Sequence, residues 1–279
     1  MVNSISQCKP LLGTYVEISL SGEFSDSYLL DKSKEAFAEI GRIQKLMSFH
    51  DRDSELSYVN HNAHHRPCGI SKDLSFILNF SMELSNLTGG LFDVTIASKM
   101  IKAGLLPDHG ISLDVDNNWE SISLDKRQVY FKKQVQLDLG GIAKGYAVDK
   151  AFEKLKGLPF AIVNAGGDLR VNQWENETIG IKVPGDSCAR NIVPVRMLNS
   201  ALATSAFYYN KKSLVVHNSI AKKSIKTNRS VSVFAPSCMV ADALTKVVLL
   251  SPKYAEILEL MSSHLLIVDN KGHILDRFN

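Results

Sequence analysis

Residues 137–155, LDLGGIAKGYAVDKAFEKL, place a carboxylate, two adjacent glycines and a lysine where a predicted strand gives way to a predicted helix. Asp138 lies at the end of the strand, and Gly140 and Gly141 remove side chains from the turn. Free backbone N–H groups and the helix dipole favour a phosphate at such a helix start. Lys144, in the first turn, is disfavoured unless an anion is present, so the stretch indicates phosphate binding. A tight turn with a solvated lysine is the alternative, because the spacing matches neither common nucleotide-binding glycine motif.

The stretch NAGGDLR, residues 164–170, repeats this arrangement of a strand, two glycines and an acid. Asn164, Gly166, Gly167 and Asp168 would by themselves indicate an ordinary turn. Together with the first stretch, they suggest that two glycine-lined strand ends converge on one ligand.

Three further stretches carry acids that could act in a site. In GGLFDVT (residues 89–95), Phe92 and Asp93 follow a helix end, and the alternative is a glycine C-cap with Phe92 in the core. In MSFHDRDSELSYVN, Ser54 and Glu55 have the spacing of helix capping. In VADALTKVV, Asp242 lies in an otherwise apolar helix, so it is either exposed or in need of a cation.

The histidines give weaker signals. His61, His64 and His65 have ligand-like spacing, but they lie in a polar stretch without a nearby acid, so we expect no metal site there. His217 ends the strand-like stretch SLVVH, where a satisfied surface or core histidine is the simpler interpretation.

The elements that would position these residues are both helical and extended. Helical periodicity is predicted over 31–46, 72–87, 239–250 and 254–261, and in the segment after Gly141. Strands are predicted at 11–20, 121–124, 129–131, 135–139, 160–165, 178–183, 192–197, 213–217, 229–234, 264–270 and 273–278. Residues 47–69 read as a long surface loop. The irregular order favours an α+β class over a doubly wound sheet.

Length and composition bound the interpretation. The chain has 279 residues, 45% hydrophobic and 22% charged, with a net charge of +3, as in an ordinary globular protein. We expect one domain over 1–279, with two closely packed α/β subdomains as the alternative. Four scattered cysteines without a C-x-x-C pair indicate neither a zinc site nor a disulfide framework.

Partners and compartment follow from the same features. The basic run 221–229 has no accompanying nucleic-acid motif, so we expect a solvated loop and no nucleic-acid partner. No stretch approaches the ~18 apolar residues of a membrane span. Without a visible signal peptide, the sequence as it stands predicts a cytoplasmic protein, and a periplasmic one if a leader has been trimmed.

Taken in order, several stretches resemble the FAD:protein FMN transferase family, the ApbE-like proteins. They span most of the chain: LLGTYVEISL, MSFHDRDSELSYVN, GGLFDVT, LDLGGIAKGYAVD, NAGGDLR, ALATSAFY and SVSVFAPSCMVADAL. The succession of DLGGIAKGYAVD and NAGGD is the most specific part. The resemblance implies an ApbE-like fold of mixed β-sheets with packed helices.

The resemblance also implies an activity. Such proteins bind FAD with magnesium, cleave its pyrophosphate, pass FMN to a Thr or Ser hydroxyl of a target flavoprotein, and release AMP. FAD-binding roles are implied for Leu12, His50, Leu91, Phe92, Asp93, Asp138, Lys144, Asn164, Gly166, Gly167 and Asp168. The implied metal ligands are the Gly141 carbonyl and Asp242, and the implied catalytic residues are Asp242 and His217.

The sequence departs from the family pattern in its last third. Of the stretch H-I-I-D-P-x-T-G only His217 remains, and Ala206 replaces the glycine of A-T-S-G. Lys246 stands where the family has a metal-binding threonine, four residues after Asp242 and therefore on the same helical face. Thr245 points about 100° away around the helix. We therefore predict that Lys246 pairs with Asp242 and weakens magnesium binding.

Three functions remain open at this point. The first is flavin transfer, and retention of Asp138, Gly141, Lys144 and Asp242 favours such chemistry. The second is a non-catalytic FAD-binding protein, which the lost threonine and Asp-Pro turn favour. The third is an FAD pyrophosphatase that gives FMN and AMP with water as the acceptor.

Overall fold

The computed structural model describes residues 1–184, 191–205, 216–218, 223–225, 229–251 and 253–278, with 216–218 and 223–225 described by their backbone alone. The chain divides into two compact units. The first unit comprises Met1–Arg42, Lys144–Leu214 and Lys226–Asn279, and the second comprises Ile43–Ala143 and Val215–Ile225. The prediction of one domain over 1–279 stays a prediction.

The described residues form helices and strands in irregular alternation. The helices are α1 (Asp26–Met47), α2 (Glu55–Asn62), α3 (Lys72–Leu87), α4 (Ala97–Lys102), α5 (Ala143–Glu153), α6 (Cys238–Leu250) and α7 (Ala255–Leu260). The strands are β1 (Asn3–Leu11), β2 (Thr14–Gly22), β3 (Cys68–Gly69), β4 (Ile122–Asp125), β5 (Gln128–Phe131), β6 (Phe160–Ala165), β7 (Asp168–Val171), β8 (Thr178–Lys182), β9 (Ile192–Arg196), β10 (Ala201–Ser205), β11 (Val216–Asn218), β12 (Lys223–Ile225), β13 (Ser230–Ala235), β14 (His264–Val268) and β15 (Ile274–Phe278).

The first unit is built on an eight-stranded sheet with the order β1-β2-β6-β7-β10-β13-β14-β15. Every pair of neighbouring strands in it is antiparallel. The β8–β9 hairpin covers one face over a buried cluster that includes Leu202 and Phe234. On β10, the small residues Ala201, Ala203 and Ser205 alternate with Leu202, and helix α6 packs on β10 and β13. Small side chains on this face therefore let α6 lie close to the sheet.

Two tight hairpins in this sheet depend on left-handed backbone. β1 and β2 are joined at Leu12 (φ 56°) and Gly13 (φ 70°), and β6 and β7 are joined at Gly166 (φ 65°) and Gly167 (φ 104°). The predicted single strand 11–20 is therefore wrong at its start. It is interrupted at Leu12, and β1 precedes it as an edge strand.

The second unit contains a three-stranded sheet, β3-β5-β4, the β11–β12 pair and helices α2, α3 and α4. The predicted surface loop over 47–69 is wrong, because the segment contains α2 and β3. Ser54 caps α2 by accepting the Ser57 N–H (3.0 Å), as the capping interpretation predicted. The Glu55 carboxylate instead accepts the N–H and hydroxyl of Ser71, the N-cap of α3, both at 2.6 Å.

Helix α3 begins and ends at the predicted residues. Its end is set by two glycines with positive φ, Gly89 (59°) and Gly90 (81°). The Gly90 N–H donates to the Ser85 carbonyl at 2.7 Å, which is the bond of a Schellman C-cap.

The predicted strand 135–139 forms no ladder. Its one bridge pairs Gln136 in parallel with Ile96, and the Asp138 N–H donates to the Val94 carbonyl at 2.8 Å. Asn60 fixes the segment from the other side. Its side-chain amide accepts the Leu137 N–H (2.7 Å) and donates to the Leu137 carbonyl (2.9 Å). An asparagine side chain thus takes the part of a neighbouring strand.

None of the helices in the described ranges combines the length and apolar character that a membrane crossing requires.

Candidate functional site

Four charged side chains form a cluster in the first unit. Lys144, in the first turn of α5, contacts Asp168 at the start of β7, and its Nζ lies 3.7 Å from Asp242 Oδ2. Lys246, one turn after Asp242 on α6, contacts Asp242 Oδ1, as the helical spacing predicted. We call Lys144, Asp168, Asp242 and Lys246 the Lys–Asp cluster. It contains two ammonium groups and two carboxylates, so its formal charge is zero.

Asp242 is the most deeply buried member, with no solvent exposure. Its Oδ2 also accepts the Gly145 N–H at 3.2 Å. Burial acts to raise the pKa of Asp242, but the ammonium groups of Lys144 and Lys246 outweigh burial and hold the pKa below its ordinary value. Asp242 is therefore a carboxylate at neutral pH, and the prediction that this acid needs a cation is confirmed.

Lys144 is the more exposed cation of the cluster, with 35% of its side chain accessible against 17% for Lys246. Burial acts to lower its pKa, but the Asp168 and Asp242 carboxylates outweigh burial and raise it. Lys144 therefore carries a fixed positive charge with an open side. Such a group can receive a phosphate oxygen.

Gly145 allows the close contact on which this geometry depends. A Cβ at this position would lie 2.3 Å from the Cys238 carbonyl oxygen and 2.8 Å from the Met239 nitrogen. Helix α5 can therefore touch the start of α6 only with glycine at this point.

Asp149 fixes the same contact from one turn further along α5. Its two oxygens accept the N–H groups of Cys238 and Met239, each at 2.9 Å, and Arg170 donates to Oδ1 at 2.7 Å. The carboxylate thus caps the N-terminus of α6, where the helix dipole favours negative charge. Sequence reasoning missed Asp149, although an acid between the buried positions Val148 and Ala151 was a visible signal.

In the second unit, the GGLFDVT stretch lies beside the segment that carries Asp138. The half-buried Asp138 accepts the Gly140 N–H at 3.2 Å. Burial raises its pKa, while the Gly140 N–H and the charge of His50 act to lower it. Gly141 follows in the turn before α5, and His50 is exposed just after α1.

Phe92 and Asp93 are both buried, and Leu91 is half-buried. Asp93 Oδ1 accepts the N–H (2.8 Å) and the hydroxyl (2.6 Å) of Thr95. Its Oδ2 is buried without a hydrogen-bond partner in the described part of the chain, and burial raises its pKa. Asp93 also lines a cavity of about 340 Å³, together with Lys99 and Trp119. An unpaired buried oxygen beside a cavity can accept a hydrogen bond from a ligand.

The remaining predicted residues are placed as follows. Leu12 lies in the β1–β2 turn. Asn164 accepts the Gly167 N–H at 2.9 Å and so closes the Gly166–Gly167 hairpin that leads to Asp168. His217 belongs to β11 by its backbone, but its side chain, like Ala206 and most of the basic run 221–229, lies outside the described residues.

The three histidines of HNAHH have structural partners. His61 Nδ1 donates to the Ser57 carbonyl (2.8 Å), and His64 Nδ1 to the Phe131 carbonyl (3.2 Å). The His64 and His65 rings lie 5.6 Å apart in a tilted arrangement.

The Lys–Asp cluster does not fit a magnesium ion as its side chains stand. Magnesium is usually held by one or two carboxylates together with phosphate oxygens and water. Here Lys246 takes Asp242 Oδ1, while Oδ2 faces the Gly145 N–H and Lys144. A divalent cation on either oxygen would therefore meet an ammonium group. The described residues also contain no group of three or more His, Cys, Asp or Glu side chains that could hold a metal ion.

An eight-stranded antiparallel sheet whose buried Lys–Asp cluster follows a glycine turn defines a class of α+β proteins. The chain belongs to the ApbE family, whose pattern matches residues 12–267. The resemblance found in the sequence is thereby confirmed.

Known relatives and solved structures agree with this membership. The FAD:protein FMN transferase of Haemophilus influenzae is 28% identical over 276 residues, covering 86% of this chain and 79% of that protein. The protein of the same name from Treponema pallidum is 23% identical, covering 87% and 77%. The ApbE protein of Thermotoga maritima has a TM-score of 0.83 at 22% identity, covering 99% of this chain and 97% of that one. The flavin transferase ApbE of Vibrio cholerae has a TM-score of 0.81 at 21% identity, covering 100% and 97%. The predicted α+β ApbE-like fold is confirmed.

Proposed function

We propose that this protein transfers FMN from FAD to a Thr or Ser hydroxyl of a target flavoprotein and releases AMP. The observation that carries the proposal is the match to proteins named FAD:protein FMN transferase over most of the chain. The half-exposed Lys144, held by two carboxylates at the start of α5, supports it, because a diphosphate substrate needs fixed positive charge.

The proposed reaction exchanges one phosphorus–oxygen bond for another. The acceptor hydroxyl oxygen bonds to the FMN phosphorus, and the bond from that phosphorus to the bridging oxygen breaks. The bridging oxygen leaves with AMP, and the hydroxyl proton passes to the AMP phosphate or to solvent. Such a transfer depends on positioning and charge neutralisation more than on covalent help from the protein.

The proposed FAD contacts come from both units. In the first unit they are Lys144, Leu12 and the hairpin residues Asn164, Gly166, Gly167 and Asp168. In the second unit they are Asp138, His50, Leu91, Phe92 and Asp93, where the unpaired Asp93 oxygen supports a ligand contact. Asp242 is proposed to hold Lys144 in place. The proposed catalytic role of His217 rests on the family resemblance alone.

A second candidate is FAD binding without transfer. The observation that favours it is the Lys246–Asp242 contact, which neutralises the carboxylate expected to serve a metal. The location of the protein follows from neither candidate, and a cytoplasmic or periplasmic acceptor fits the chemistry equally well.

One experiment separates the functions. The protein is incubated with FAD and an acceptor domain carrying a flavinylation threonine, and with the same domain bearing alanine there. Intact mass of the acceptor and AMP in solution are measured. We expect the FMN mass on the threonine domain only, with equimolar AMP. AMP without modified acceptor would indicate a pyrophosphatase. FAD binding without AMP would indicate a binding protein, and absence of FAD binding would contradict all three.

We expect FAD to bind at least about tenfold more tightly than FMN or riboflavin, since the Lys144 ammonium favours a diphosphate. Calorimetric titration with the three ligands measures this. Equal affinity for riboflavin would contradict a role for the phosphates in binding.

We expect Asp138→Ala to weaken FAD binding by about tenfold, the size of one hydrogen bond to a charged group. Asp138 is only half-buried, so the melting temperature should change little. Asp138→Asn is the control for the turn, because an amide oxygen can still accept the Gly140 N–H. A large fall in melting temperature with unchanged FAD affinity would make Asp138 a structural residue.

A further inference from the structure

Lys246 is bound to a single carboxylate residue and little else. Among the described residues, its ammonium group contacts Asp242 Oδ1 and donates to the Asp242 carbonyl oxygen at 3.0 Å. An ammonium group has three donors, so one remains for a ligand. With 17% of its side chain accessible, Lys246 reaches solvent from a helix that is otherwise mostly buried.

The neighbours of Asp242 hold this arrangement in place. Thr245 does not compete for the carboxylate, because its hydroxyl donates to the Asp242 backbone carbonyl (2.7 Å) and lies 2.8 Å from Ser205 Oγ. The other carboxylate oxygen accepts the Gly145 N–H. Both oxygens of Asp242 are thus engaged by groups of the protein, and its buried charge is balanced without an added ion.

The charge balance leads to a functional conclusion. If Asp242 held a divalent cation, that cation would bring a diphosphate the positive charge that it needs. In this chain the same place holds an ammonium group with an open donor, beside the half-exposed ammonium of Lys144. We propose that Lys246 takes the place of a divalent cation, so that two lysines bind the FAD diphosphate without a metal. This inference rests on the proposed function.

The first test uses the wild-type protein alone. FAD affinity is measured by calorimetry in EDTA and in millimolar Mg²⁺. We expect the two dissociation constants to agree within about twofold, because the ammonium groups already supply the charge. An affinity at least about tenfold higher in Mg²⁺ would overturn the inference, whatever any variant does.

Three variants test Lys246 itself. Lys246→Thr removes the ammonium and leaves a short side chain whose oxygen can bind a metal. We expect it to lose about tenfold or more in FAD affinity in EDTA and to regain it in Mg²⁺. Lys246→Arg keeps the charge and should behave as the wild type in EDTA. Lys246→Met keeps the length without charge or oxygen, so it should lose affinity in EDTA and recover less in Mg²⁺ than the threonine variant.

A metal titration without FAD separates this inference from the proposed function. Mn²⁺ binding is followed by electron paramagnetic resonance on wild-type protein and Lys246→Thr, after melting curves establish that both are folded. We expect the variant to bind Mn²⁺ at least about tenfold more tightly, since an ammonium no longer opposes the cation. If FAD does not bind at all, the proposed function fails, and this titration alone decides. Equal Mn²⁺ affinity of the two proteins would then overturn the role of Lys246.

Discussion

Gly145→Ala is expected to destabilise the protein by about 3 kcal/mol, at the upper end of what overpacking costs. The added Cβ would lie 2.3 Å from the Cys238 carbonyl oxygen, which is backbone and cannot rotate away. Helices α5 and α6 must therefore separate. The Gly145 N–H would then move from Asp242, and the Lys–Asp cluster would open.

For a chain of this size the loss corresponds to a fall of ~6–12 °C in melting temperature, measured by calorimetry or circular dichroism. Gly41→Ala is the matched control, because Gly41 lies in helix α1 with nothing within 4 Å of an added Cβ. It should stabilise by about 0.5–1 kcal/mol through better helix propensity. Equal melting temperatures for Gly145→Ala and wild type would show that α5 and α6 do not depend on this contact.

The elements that could be predicted are those with strong local signals. Helix α3 has an apolar period, a serine N-cap at Ser71 and two glycines at its end, and its bounds were predicted to the residue. The contact of Lys246 with Asp242 was also predictable, because residues four apart on a helix share a face.

The elements that were missed have weak local signals. Strand β1 is an exposed edge strand, so its sequence, NSISQCKPL, shows little apolar alternation. Helix α2 is only eight residues long and mostly polar, and it buries its face through residues such as Leu56 and Val59. The segment 135–139 looks like a strand because it is extended and buried, yet its partners include the Asn60 side chain.

The candidate site was predictable in its parts and not in its assembly. Sequence patterns singled out Lys144, Asp168 and Asp242, but contacts across 24 residues (Lys144 to Asp168) and 97 residues (Gly145 to Asp242) depend on how the sheet orders its strands. Asp149 was missed for the same reason. Its partners, the first N–H groups of α6, lie 89 and 90 residues away.

Asp242→Asn is expected to cost about 3 kcal/mol at pH 7, because removing one partner leaves buried charge uncompensated. Asparagine can still accept the Gly145 N–H, so the loss reports the charge more than the hydrogen bond. Chemical denaturation of wild type and variant measures it. Glu153→Gln is the control: it removes an exposed ion pair with Lys150, worth at most about 1 kcal/mol.

The pH dependence gives this prediction a second, independent readout. The folded-state pKa of Asp242 lies below its ordinary value, first because of Lys144 and then because of Lys246, which together outweigh burial. The unfolded chain therefore binds the proton more readily, and the contribution of Asp242 to stability is fully present above the unfolded pKa of about 3.9. It is lost as the pH falls through the folded pKa. The stability difference between wild type and Asp242→Asn should accordingly be constant from pH 5 to 7 and narrow below about pH 4. A difference that stays constant into acid would mean that the loss comes from packing, and that the carboxylate charge does not hold the two lysines.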